Sequence, residues 1–122
     1  MPKKIYVADD SVVTRMFISS IINEIPNVEI EEFANGEEVL NKIKKALPDL
    51  LILDSVMPKM DGLSVLSKLK ENNIKIPIIF FTADIQATTR EKAISLGIAE
   101  FVNKPLQKEV ILEKIKNILF NK

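Results

Sequence analysis

Short apolar runs rich in β-branched and aromatic residues alternate along this chain with longer segments whose apolar residues recur every three or four positions. Ile5 to Ala8, Val28 to Phe33, Leu50 to Leu53, Ile78 to Phe81 and Phe101 to Val102 predict five strands. Between them, Val39, Leu40, Ile43 and Leu47 predict one face of a second helix, Leu63, Leu66 and Leu69 a third, and Ile111, Ile115 and Ile118 a fifth. The boundary signals agree. Asn35 with Glu38 three residues on predicts a helix-capping box, Gly97 after Ser95 and Leu96 predicts a left-handed residue closing the fourth helix, and Pro48, Pro77 and Pro105 each fall in a junction. Parallel strands need a crossover helix, and each helix needs a sheet face on which to bury its stripe. Five such units therefore predict an α/β fold, a doubly wound (βα)5 sandwich with helices on both faces of one parallel sheet.

The chain has 122 residues, room for one domain, and its 47% apolar content suffices for a core. No linker-like or low-complexity segment interrupts it, so a single domain over 1–122 with no output domain is expected, acting through a separate molecule. Lys and Arg number 17 against 17 Asp and Glu, so no net field favours nucleic acid or an anionic membrane. The absence of cysteine excludes disulfides, thiolate metal sites and thiol nucleophiles. The absence of histidine removes the usual general base and zinc ligand, and any phosphorylated histidine on this chain. Neither a secretory signal nor a membrane-length apolar run is visible, which predicts a cytoplasmic protein, with a monomer as the default state.

In open doubly wound sheets, ligands bind beyond the carboxyl ends of the strands, where the winding direction reverses. With strand order 2-1-3-4-5 that point lies between the first and third strands, whose ends carry Asp9, Asp10 and Asp54; Thr82 and Lys104 end the fourth and fifth. Each has an ordinary reading: Asp9 and Asp10 as caps, Asp54 in a loop, Thr82 at a strand end, Lys104 as a solvated charge. Independent caps and surface charges have no reason to gather at one edge of a sheet, and these five do. Three converging carboxylates repel one another and call for a cation; an all-oxygen donor set favours a hard ion, Mg2+ before Ca2+. A carboxylate in such a setting can accept a phosphoryl group, with Lys104 supplying an ammonium and Thr82 a hydroxyl donor.

The run LILDSVMPKMDG, with YVADDS before it and FFTAD and FVNKP after it, resembles the receiver domain of bacterial and archaeal two-component systems, and the chain is similar in size to stand-alone CheY-like chemotaxis regulators. The resemblance implies a flavodoxin-like fold and phosphorylation of Asp54 by a sensor histidine kinase or phosphotransfer protein. It implies Mg2+ held by Asp10, Asp54 and the backbone carbonyl of Val56, with Asp9 acting partly through water. It further implies that Thr82 and Lys104 contact the phosphoryl group, that the Lys104–Pro105 bond is cis, and that Phe101 turns inward as a switch. The altered face of the fourth helix, fifth strand and fifth helix, roughly 85–96 and 100–119, would then bind an effector such as a motor component or phosphatase. Phe101 read alone is a plain core residue. Met57 and Pro58 are expected to shape a turn, and Asp84 to tune the lifetime of the phosphorylated state.

Other readings fit less well. Within the receiver class, a phosphorelay intermediate is the alternative to a chemotaxis regulator. An aspartate-nucleophile phosphohydrolase would carry a second Asp two residues after the first, where Val56 stands. A flavodoxin would need a Ser, Thr and Gly loop after the first strand, yet the only glycines are Gly36, Gly62 and Gly97. The expectation is a signalling domain that assists its own phosphorylation and dephosphorylation, and not an enzyme acting on other substrates.

Overall fold

In a computed structural model that describes residues 2–120, the chain forms β1 (Lys3–Ala8), α1 (Val12–Ile22), β2 (Val28–Phe33), α2 (Gly36–Lys45), β3 (Leu50–Asp54), α3 (Gly62–Glu71), β4 (Ile78–Thr82), α4 (Ala87–Ser95), β5 (Glu100–Asn103) and α5 (Lys108–Phe120). Met1, Asn121 and Lys122, the ends of the expected 1–122 domain, lie outside the described residues. All strand pairs are parallel and the order is β2-β1-β3-β4-β5, so the flavodoxin-like doubly wound architecture is borne out.

Alternation along the strands divides the core in two. Tyr6, Ala8, Leu51, Leu53, Ile78 and Phe80 face α2, α3 and α4, meeting Val39, Leu40, Ile43, Val65, Leu66, Leu69 and Ala93. Ile5, Val7, Leu50, Ile52, Ile79 and Phe81 face α1 and α5, meeting Ile18, Ile21, Ile22, Ile111, Ile115 and Leu119. Every residue of β3 and β4 is buried, as strands covered on both sides must be, whereas the edge strand β2 carries Glu29, Glu31 and Glu32.

Local chemistry sets the helix ends. Asn35 Oδ1 accepts the Glu38 N–H at 2.9 Å while Asn35 Nδ2 donates to the Glu38 carboxylate at 2.8 Å, and Gly97 closes α4 at φ +91°. One expected helix contact fails. Leu47 is 59% exposed, because α2 stops at Lys45 and Ala46 is already extended ahead of Pro48. Strand β1 begins two residues earlier than the apolar run, since Lys3 and Lys4 pair with Val28 and Glu29 through the backbone, where side-chain hydropathy does not enter. In α5 the buried stripe runs through Ile111, Ile115 and Leu119, with Ile118 packed beside it.

Candidate functional site

The carboxyl ends of β1 and β3, adjacent in the sheet, bring Asp9 and Asp54 together. Asp10 joins them, and one carboxylate oxygen from each of the three lies within 4.8 Å of the others. Asp9 and Asp54 are buried while Asp10 is exposed, so the cluster opens to solvent on one side. Lys104 reaches across from the end of β5, its Nζ 3.4 Å from Asp54 Oδ1 and 3.8 Å from Asp9 Oδ2, with the ammonium 5.2 Å from the centre of the Phe81 ring. The Lys104–Pro105 peptide bond is cis, and the Lys104 N–H donates to the Thr82 carbonyl at 2.8 Å.

Asp9 is not the helix cap. Ser11 caps α1 by accepting the Thr14 N–H, and Asp9 Oδ1 accepts the Ser11 N–H at 2.7 Å. The Arg15 guanidinium donates to the Asp9 backbone carbonyl and pairs with Glu32, fixing the turn after β1. Asp9 Oδ2 is left buried without a hydrogen-bond partner among the described residues. A buried carboxylate oxygen with no hydrogen bond, and only the Lys104 ammonium at 3.8 Å, is costly, and a cation bound directly would satisfy it.

Electrostatics say the same. Burial pushes the Asp54 carboxyl up to about 6 from its ordinary 3.8, the neighbouring Asp9 charge adds to the rise, and Lys104 opposes it. Burial also raises Asp9, against the Ser11 N–H and Lys104, which lower it. Three carboxylates against one ammonium leave two negative charges, the charge that a divalent ion neutralises. The three carboxylates offer it hard oxygen donors, which suits Mg2+ in chemistry and charge.

Thr82, wholly buried, ends β4 one residue beyond Phe81, the register partner of Asp54. Its Oγ1 accepts the Asp84 N–H at 3.0 Å and lies 2.6 Å from Ser55 Oγ. Val56 follows in the loop with its side chain 72% exposed, and no carboxylate stands at that position. Asp84 is also exposed; its carboxylate accepts from the Thr89 hydroxyl and the Gln86 N–H, which hold its pKa below the usual value. Phe101 is not part of the acid cluster. It is half-buried on β5, stacked on Phe80 with ring centres 6.1 Å apart, and the Arg90 guanidinium lies 5.4 Å from its ring centre.

Three residues gain roles that the sequence did not reveal. Ser55, overlooked beside Asp54, is bonded to Thr82. Gly62 lies where a Cβ would come 2.3 Å from the Asp54 carbonyl oxygen, so only glycine lets α3 start this close to β3. Met57 does more than shape a turn: it is buried in the core facing α2 and α3 and pins the loop after Asp54. The adjacency of Ser55 to Asp54 was the only available signal for the first of these.

The family model for the response regulator receiver domain matches residues 5–116. The chemotaxis protein CheY of Bacillus subtilis is 33% identical over 98% of this chain and 99% of its own length. A protein-glutamate methylesterase/protein-glutamine glutaminase of Syntrophomonas wolfei is 41% identical over 84% of this chain, yet the match spans only 30% of that protein. The chain thus spans about a third of the methylesterase relatives that it matches. A CheY-like receiver domain protein from Methanospirillum hungatei superposes with a TM-score of 0.87 at 26% identity, covering 96% of this chain and 93% of that one. With the fold, the acid cluster and these likenesses in agreement, the chain belongs to the response regulator receiver domain family.

Proposed function

We propose that this chain is a phosphoacceptor switch in which Asp54 takes a phosphoryl group from a phosphohistidine on a sensor kinase or phosphotransfer protein. The observation that carries the reading is the meeting of Asp9, Asp10 and Asp54 around one point, with Lys104 Nζ 3.4 Å from Asp54. An oxygen of the Asp54 carboxylate attacks phosphorus, the bond from phosphorus to the donor imidazole nitrogen breaks with its electron pair going to the imidazole, and an aspartyl phosphate remains. Asp10, Asp54 and the Val56 carbonyl would hold Mg2+, with Asp9 acting partly through water; when bound, the ion offsets charge on the phosphoryl oxygens. Lys104 pairs with a phosphoryl oxygen, and Thr82 donates its hydroxyl to another. Burial keeps competing water from the acceptor.

Val12, Val13, Met16 and Phe17 on α1 are exposed, and a groove lined by Val13, Phe17, Pro105 and Leu106 ends at Lys104. An apolar surface bordering a charged pocket suits a donor that must seat its imidazole against Asp54. The output we assign to Phe101 and the face of α4, β5 and α5, where Ile85, Ile94 and Val110 are exposed. Binding of an effector there in chemotaxis is the pathway we favour, by likeness to CheY, over a phosphorelay step. Each cycle passes one phosphoryl group and no other substrate is turned over; a cytoplasmic monomer goes with this reading. Among the described residues no helix is long and apolar enough to cross a membrane. The test is intact mass after incubation with Mg2+ and acetyl phosphate. A phosphate-sized adduct on wild type and none on Asp54→Asn is expected; no adduct on wild type, or equal adducts, would refute the assignment.

A further inference from the structure

We infer that Ser55 is a latch that holds Thr82 away from the acceptor and so sets how readily the switch is thrown. The inference rests on the reading of Thr82 as the hydroxyl that meets the phosphoryl group. A threonine hydroxyl has one proton to give and two lone pairs. In this structure both lone pairs of Thr82 Oγ1 are engaged: it accepts the Asp84 N–H, and it accepts the Ser55 hydroxyl at 2.6 Å, a buried bond between residues 27 apart in sequence. Neither partner belongs to the acid cluster, and Thr82 has no exposed surface through which water could replace either of them.

The Ser55 backbone cannot follow Thr82 if it turns. Its N–H donates to the Phe81 carbonyl at 3.0 Å and its carbonyl accepts the Gly62 N–H at 2.9 Å, so its backbone is tied to β4 on one side and to α3 on the other. Swinging the Thr82 hydroxyl towards Asp54 therefore breaks the Ser55 bond and leaves a serine that is only 9% exposed to find another partner. An unmade buried hydrogen bond is more costly than an absent one. The latch thus opposes the phosphoryl-bound arrangement, and removing its hydroxyl should favour that arrangement.

The test uses beryllofluoride with Mg2+ as the phosphoryl mimic, on wild type, Ser55→Ala, Thr82→Val and the double variant. From the usual worth of one hydrogen bond, Ser55→Ala should bind the mimic about 2- to 10-fold more tightly than wild type. The gain should vanish in the Thr82→Val background, where there is nothing to release. In the metal-free protein, three-bond couplings of Thr82 should change from a single side-chain rotamer to an average when Ser55 is replaced by Ala. A serine with a merely structural role would not move that rotamer, nor would its effect depend on Thr82. Unchanged or weaker binding by Ser55→Ala, or an equal gain in the Thr82→Val background, overturns the latch. Wild type binding the mimic without a gain in Ser55→Ala sinks the latch alone, whereas a wild type that binds no beryllofluoride sinks the functional reading with it.

Discussion

Replacing Asp54 by Asn should stabilise the metal-free protein, although it removes the proposed acceptor. In the folded chain the carboxyl sits at about 6, against 3.8 for an ordinary aspartate, with burial as the main cause and the Asp9 charge second. The folded state therefore holds this proton more tightly than the unfolded chain does. Ionisation costs stability; the cost is absent below the unfolded value, grows as pH rises through the window between the two, and is complete above the folded value. A difference of about two units corresponds to about 3 kcal/mol near pH 7.5, falling to about half of that near pH 5. The attraction of Lys104 is already contained in the raised value, so it needs no separate correction. Urea unfolding of wild type and Asp54→Asn, with a chelator present, reads the difference directly. A variant that is less stable than wild type near neutral pH, or a gain that does not shrink as the solution is acidified, would refute the claim that burial and Asp9 destabilise the Asp54 charge.

Magnesium should reverse that penalty: at about a hundred times its Kd it adds about 2.7 kcal/mol to wild type, a stabilisation that thermal melting should find much reduced in Asp9→Asn and in Asp54→Asn. Gly62→Ala should cost about 1–3 kcal/mol or more by urea midpoint, because the new methyl meets the Asp54 carbonyl oxygen, the Ser55 Cα and the Phe80 ring, and the first two cannot move without shifting the backbone at the end of β3. Asn35→Ala removes the accepted Glu38 N–H and should cost about 1 kcal/mol in the same assay, with no change in metal affinity.

The alternation of strands and helices was legible from periodicity, and the placement of the acids followed from the common strand order of such sheets and one topological rule. Once five short apolar runs alternate with helices and the common order 2-1-3-4-5 is taken for the sheet, the carboxyl ends of β1 and β3 lie side by side, and Asp9, Asp10 and Asp54 go with them, as the structure has them. What escaped depended on contacts between atoms that periodicity does not encode. Leu47 fits the helical spacing, yet its backbone has left the helix. Ser55 looks like any polar residue after a strand until β4 places Thr82 against it. The division of labour between Asp9 and Ser11 at the start of α1 was equally hidden, since either side chain can cap a helix and only the geometry shows Ser11 doing so. Gly62 was visible only as one of three glycines, and the reason for it, the closeness of α3 to the Asp54 backbone, is a packing fact.

The account stands on Asp54 as the acceptor, and chemical location of the phosphoryl group tests this most directly. Borohydride reduces an aspartyl phosphate to homoserine and leaves free carboxylates intact. Protein treated with Mg2+ and acetyl phosphate, then reduced and mapped by peptide mass spectrometry, should carry homoserine at position 54 and nowhere else. Homoserine at position 9 or 10 instead, or an unchanged aspartate at 54 in protein whose intact mass shows the adduct, would contradict it.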